Sequence, residues 1–131
     1  MPIIKASISD KDDVAPLIAL FRVELKAYKN EQSFEDLVSA KEEFKEYIQK
    51  RHPIYLYKED DIVMGYIVCR VEDSVVWVEA LYVKPDYRRK GIASKLYDTA
   101  EQLAKSFGEA SLFNYVHPNN DNMIMFLKSK G

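Results

Sequence analysis

The stretch Val75 to Phe107, VVWVEALYVKPDYRRKGIASKLYDTAEQLAKSF, constrains the fold of this 131-residue chain more than any other segment. In VVWVEALYV, β-branched and aromatic residues dominate and apolar residues occupy both alternating faces. That pattern predicts a strand inside a sheet covered on both sides. Ile92, Leu96, Ala100, Leu103 and Phe107 then recur at helical spacing, with Asp98, Glu101 and Lys105 off that stripe. The pattern predicts an amphipathic helix that stops at Gly108. The joining loop, Arg88-Arg89-Lys90-Gly91-Ile92-Ala93, falls where a helix N-terminus presents unpaired backbone N–H groups and the positive end of its dipole. Such an end suits a phosphate, and Gly91 lets the backbone approach a ligand with no Cβ in the way. A phosphate-bearing cofactor is the first reading. The plain alternative is a solvated basic turn. The loop has neither the G-x-x-x-x-G-K-[ST] nor the G-x-G-x-x-G spacing.

The rest of the chain supplies the elements that such a unit needs around it. Ile3 to Ile8 alternates weakly and reads as a first strand. Ser9 or Asp10 can cap a helix whose apolar stripe is Val14, Leu17, Ile18, Phe21, Leu25 and Tyr28. Ser33 is the expected cap of a second helix carrying Phe34, Leu37, Val38, Phe44, Tyr47 and Ile48, which ends before Pro53. Ile54 to Tyr57, Ile62 to Val71 and Val75 to Val83 read as consecutive antiparallel strands turned at Glu59-Asp60-Asp61 and Glu72-Asp73-Ser74. Ala110 to Val116 reads as one more strand. The predicted order is β-α-α-β-β-β-α-β-α, an α/β domain with a mixed, mostly antiparallel sheet flanked by helices.

Length and composition bound this to one domain over residues 1–131, at 47% hydrophobic and 31% charged residues. No apolar run reaches membrane-spanning length, and MPIIKASISDKDD lacks the pattern of a signal peptide. Cys69 is the one cysteine, so no internal disulfide forms and a reducing cytoplasm is expected. A net charge of −2 argues against general nucleic-acid binding. His52 and His117, each beside a proline, have no matching ligand spacing, so no metal is expected. Cys69, in an apolar strand, reads as a core thiol.

With these elements in order, the chain resembles the GNAT superfamily of acetyl-CoA-dependent N-acetyltransferases. The family signature [RQ]-x-x-G-x-[GA] is met by Arg88, Gly91 and Ala93, preceded by LYVKPDYR, Leu81 to Arg88. Asn120 to Gly131, NDNMIMFLKSKG, is similar to the family's N-x-x-A-x-x-F-Y-x-x-x-G helix. The resemblance implies acetyl-CoA as co-substrate. It would be held by Leu81, Tyr82 and Val83, by the loop Arg88, Arg89, Lys90, Gly91, Ile92, Ala93 and Ser94, and by Asn120 at the last helix. Two departures stand out. The family's general-acid tyrosine falls at Leu127, which has no proton to give. The chain as read also ends at Gly131, where the family adds two strands, so a C-terminally short domain is expected. Exchange of strands between two copies, and hence a homodimer, is one way to complete it.

Glu79 is the acid that the pattern singles out. Read as a regular strand, it shares the odd face with Val75, Trp77, Leu81 and Val83, where a carboxylate must be paired or protonated. Such surroundings also make general bases, and the resemblance to diamine acetyltransferases of this family implies a base acting through water. The alternative is a structural carboxylate. The developing oxyanion needs a backbone donor, expected from a break in pairing near Leu81 to Val83. Tyr115 and Tyr82 are the candidate proton donors in place of Leu127, among nine tyrosines. Asn120 and Ser94 can equally satisfy helix ends. The first two helices border the acceptor in the family. Here they carry Glu24, Tyr28, Glu31, Glu35 and Asp36, an acidic rim that favours a cationic amine. The expected reaction is acetyl transfer to a primary amine of a small molecule, a polyamine-like compound or a protein. A non-catalytic acyl-CoA sensor and an interaction module are the alternatives.

Overall fold

The computed structural model describes residues 2–108 and 112–114. Within them the chain runs β1 (Ile3–Lys5), α1 (Lys11–Tyr28), α2 (Leu37–Gln49), β2 (Ile54–Glu59), β3 (Ile62–Glu72), β4 (Val75–Val83), α3 (Ile92–Ser106) and β5 (Leu112–Asn114). This is the predicted order up to β5. The helix predicted over residues 120–131, and with it Tyr115, His117, Asn120 and Leu127, lies outside the described residues.

Two tight turns build the centre of the sheet. Asp60 and Asp61 join β2 to β3 with φ of 53° and 63°, and Asp73 and Ser74 join β3 to β4 with φ of 51° and 64°. Positive φ at both central residues is the turn whose twist matches that of the flanking strands. The sheet runs β1-β2-β3-β4-β5 among the described residues, antiparallel except for the parallel pair β4–β5.

Helices cover both faces. On one face, Val14, Leu17 and Ile18 of α1 and Ala40 and Phe44 of α2 pack on Leu56, Tyr66, Val68, Ala80 and Tyr82. On the other, Ile92, Leu96, Ala100 and Ala104 of α3 pack on Ile67, Cys69, Val76, Val78, Leu81 and Val83. The strand predicted to be interior is thus buried from both sides. Cys69 is fully buried, and desolvation pushes its thiol up to about 12.

Two boundaries differ from expectation. β1 ends at Lys5, not Ile8, because Ser7 opens a 3-10 turn in which its N–H donates to Asp10 Oδ2 at 2.9 Å. Asp36, rather than Ser33, caps α2, accepting the Ser39 N–H at 2.9 Å. The helix therefore starts after Phe34, which is 87% exposed, and its inward stripe is Ala40, Phe44, Tyr47 and Ile48.

Candidate functional site: a split strand edge beside a helix N-terminus

The pairing of β4 changes character halfway along it. Val68 faces Ala80 and Cys69 faces Val78, so Glu79 is an extra residue, a β-bulge. The bulge inverts the alternation. Val76 and Val78 face α3 before it, whereas Leu81 and Val83 do so after it, with Ala80 and Tyr82 turned toward α1. On the other side, β5 pairs only with Val76–Val78. Beyond the bulge, β4 has β3 on one side and no described strand on the other. Lys84 N donates to Met64 O of β3 at 3.0 Å, and antiparallel pairing alternates residues that face the partner with residues that face away. Tyr82 therefore bonds β3, while the N–H and C=O groups of Leu81 and Val83 face the open edge. The Arg88 Nε bond to Val83 O, at 2.8 Å, confirms that direction. The expected break in pairing thus lies just before Leu81: the bulge at Glu79 sets which amides face away from β3, and β5 pairs only to Val78, so the Leu81 and Val83 amides meet no described strand. Tyr82 contributes its side chain to the core instead, in a cluster with Phe21 and Tyr66 at centroid distances of 5.1 and 6.3 Å.

The N-terminus of α3 sits beside that edge in sequence and space, since Ile92 and Leu96 pack on the same cluster as Leu81 and Val83. Gly91 is its N-cap residue, with φ of 78° in the left-handed region, and Arg89 precedes it at 65°. A Cβ built on Gly91 would meet nothing within 4 Å. The glycine is thus favoured by backbone conformation, and among the described residues the space over it is open. The N-cap glycine brings no side-chain cap, and no acidic residue lies in the first turn. The first helical bond is Lys95 N to Gly91 O at 3.1 Å, which leaves the amides before it without an intrahelical acceptor. Arg89, Lys90 and Gly91 are exposed. Ile92 is buried, so it offers only backbone, and Ala93 and Ser94 are half-buried.

Arg88 behaves differently from its basic neighbours. Besides Val83 O, it reaches Glu24 Oε2 of α1 at 2.8 Å and lies over the Tyr82 ring at 5.4 Å. Tyr28 donates its hydroxyl to Glu24 Oε1 at 2.8 Å. Burial first, then the bond to Glu24 and its charge, holds the Tyr28 phenol above its ordinary value. Of the three basic residues, Arg89 and Lys90 are the ones turned to solvent.

The environment predicted for Glu79 is corrected by the bulge. Glu79 does not share a face with Leu81 and Val83. It is partly exposed and paired with Arg70 on β3, which also bonds Glu72 at 2.7 Å and lies over Trp77 at 5.3 Å. The pairing was legible in the hairpin. A two-residue turn at Asp73-Ser74 sets Arg70 opposite Trp77, within diagonal reach of Glu79. The Glu24–Arg88 pair, 64 residues apart, had no local signal. The acidic rim also divides. Glu24 is engaged by Arg88 and Asp36 is a cap, whereas Glu31 and Glu35 are exposed. Glu31 helps line a cavity of about 350 Å³ with Val23, Ala27, Asn30, Gln32 and Ser33. Tyr115 and Asn120 lie outside the described residues.

Comparison with known proteins bears on this geometry. The profile of the acetyltransferase (GNAT) family matches residues 17–131. An uncharacterised N-acetyltransferase of Lactobacillus delbrueckii subsp. lactis is 25% identical over 59% of the chain and 49% of its own length. An aminoglycoside N(6')-acetyltransferase of an Acinetobacter species is 42% identical over 38% of the chain and 34% of its own length. The match thus spans half or less of these curated relatives. Among solved structures, the PaiA N-acetyltransferase of Thermoplasma acidophilum in complex with coenzyme A is 25% identical. It superposes with a TM-score of 0.82 over 98% of this chain and 87% of its own. An aminoglycoside 6'-N-acetyltransferase of Acinetobacter haemolyticus, 21% identical, shares the fold with a TM-score of 0.75 over 100% of this chain and 90% of its own.

Proposed function

The chain belongs to the acetyltransferase (GNAT) family, and on that premise we propose that it transfers the acetyl group of acetyl-CoA to a primary amine. One observation carries the reading: the open edge of β4 at Leu81 and Val83 adjoins an uncapped, glycine-led helix N-terminus. These donors fit the two ends of acetyl-CoA. The first-turn amides of α3, with Arg89 and Lys90 beside them, suit a pyrophosphate. The Leu81 and Val83 amides suit the amides of the pantetheine arm and the thioester oxygen.

When bound, acetyl-CoA supplies an activated acetyl thioester. The chain's own groups then do three things. The β4 edge holds the thioester oxygen against a backbone N–H, and a donor so placed is worth roughly 3–4 kcal/mol as charge develops. Glu79, at the bulge, takes the proton of the attacking amine through a water. The cleft holds amine and thioester together for direct attack, which supplies much of the rate. Alkyl thiols ionise near pH ~8–9, so the departing thiolate needs a proton donor only weakly. Tyr115 is proposed for that task.

The acceptor is proposed to be a cationic amine, from the exposed Glu31 and Glu35. The aminoglycoside acetyltransferase among the relatives supports a small-molecule amine. Cytoplasmic residence is proposed from the single buried thiol of Cys69. Release of free thiol from acetyl-CoA, measured against a panel of mono-, di- and polyamines, tests the reading. Amine-dependent release is expected. Binding of CoA with no release for any amine would favour a sensor instead.

A further inference from the structure

We infer that Arg88 braces the cofactor cleft from behind instead of contacting phosphate, and that Glu24 of α1 is thereby a positioning residue for CoA. The inference rests on the proposed CoA reading, but it concerns residues on the far side of the loop.

The Arg88 side chain joins three parts of the fold. Its Nε bonds Val83 O at the end of β4, its Nη2 bonds Glu24 Oε2, and its guanidinium lies over the Tyr82 ring. Both charged partners are mostly sheltered, at 31% and 26% exposure. Glu24 is itself fixed from its other oxygen by the Tyr28 hydroxyl. A phosphate seeking Arg88 would have to compete with a carboxylate already bonded to it, while Arg89 and Lys90 stand exposed next door. What the arrangement does well is hold geometry. Arg88 leads directly into the left-handed residues Arg89 and Gly91, which aim the amides of α3. Its bond to Val83 O fixes that same bend to the β4 edge. The two halves of the cleft are thus spaced by one planar fork, a task that the single ammonium of lysine cannot copy. Neither residue's position suggested this, because the contact joins the first helix to the signature loop across half the chain.

The sign of one substitution separates the two roles. Glu24→Gln removes a negative charge near an anion site. By electrostatics alone, CoA should then bind more tightly. Positioning predicts the reverse, a loss of about tenfold, in the usual range for coupled neighbours. Calorimetric titration of CoA into wild type, Glu24→Gln, Arg88→Gln, the double variant and Arg88→Lys is the experiment. The double variant should bind no worse than either single one, and Arg88→Lys should lose as much as Arg88→Gln. Backbone amide order parameters of the ligand-free protein should fall at Arg88 to Ala93 in Glu24→Gln, while the interior of α3 stays rigid. Tighter CoA binding by Glu24→Gln, or unchanged order parameters in the loop, overturns the inference. If wild type binds no CoA, the proposed function fails, and the order parameters still decide whether Glu24 anchors the loop.

Discussion

Replacing Gly65 with alanine should damage both the fold and the cofactor cleft, because a side chain at that position would crowd the backbone of the neighbouring strand. Gly65 pairs with Val83 across β3 and β4. A Cβ there would lie 2.8 Å from Tyr82 O, 3.1 Å from Val83 Cγ2 and 3.3 Å from Val83 Cα. Two of the three atoms are backbone, so no rotamer change relieves the contact and β4 itself must move. Over-packing of this kind costs about 1–3 kcal/mol, and a clash with main chain belongs at the upper end. The lower entropy of unfolded alanine offsets roughly 0.5–1 kcal/mol. A net loss of about 2 kcal/mol lowers Tm by roughly 6–10 °C for a domain of this size. Val83, one of the two displaced residues, has its amide on the open edge, so CoA affinity should fall as well. Thermal unfolding followed by circular dichroism, with CoA titration of the folded variant at low temperature, measures both. A Tm within a degree of wild type together with unchanged CoA affinity would refute the reasoning.

The remaining predictions concern the site and the pH response. Gly91→Val should bind CoA more than tenfold less tightly, since it adds a branched side chain in the open space over the loop. It also strains a φ of 78° by roughly 1–2 kcal/mol, a loss that differential scanning calorimetry should register. Glu79→Gln should keep CoA affinity and lose about 10²-fold in kcat; wild-type turnover would leave Glu79 a partner of Arg70 only. Diamines should show a lower KM than neutral amines of equal length. Salt should narrow the gap, because the Debye length is about 8 Å at physiological ionic strength, and Glu31→Gln with Glu35→Gln should abolish it. Cys69, raised from 9.0 to about 12, and Tyr47 and Tyr66, raised above 10.0 by burial, are neutral in the fold. Their contribution is complete below about pH 9 and is lost as pH rises through 9 to 12. Tm should fall over that window, and Cys69 should resist thiol reagents at pH 8 in the native protein.

Much of the frame was legible because it follows from periodicity. The alternating and helical patterns of Val75 to Phe107 located β4 and α3. The segments Glu59-Asp60-Asp61 and Glu72-Asp73-Ser74 located both hairpin turns, though they lack the usual glycine. What escaped was the bulge. Period-two alternation carried through Glu79 puts it beside Leu81 and Val83, and only the register against Cys69 and Val68 shows the extra residue. That one residue decides which face Glu79 occupies and which amides the edge frees. The cap of α2 was missed for a related reason, since Ser33 and Asp36 are both fit to cap and tertiary packing of Ala40 and Phe44 chose between them. Arg88 carried the family signature, but its partner on α1 could be found only in three dimensions.

The most direct test of the account is a CoA titration of isotope-labelled protein followed residue by residue through its backbone amides. Saturable shifts should concentrate at Leu81, Val83 and Arg89 to Ala93, weaken as salt rises, and spare the solvent face of α2. Absence of binding, or shifts centred elsewhere with the β4 edge and the α3 N-terminus unmoved, would contradict it.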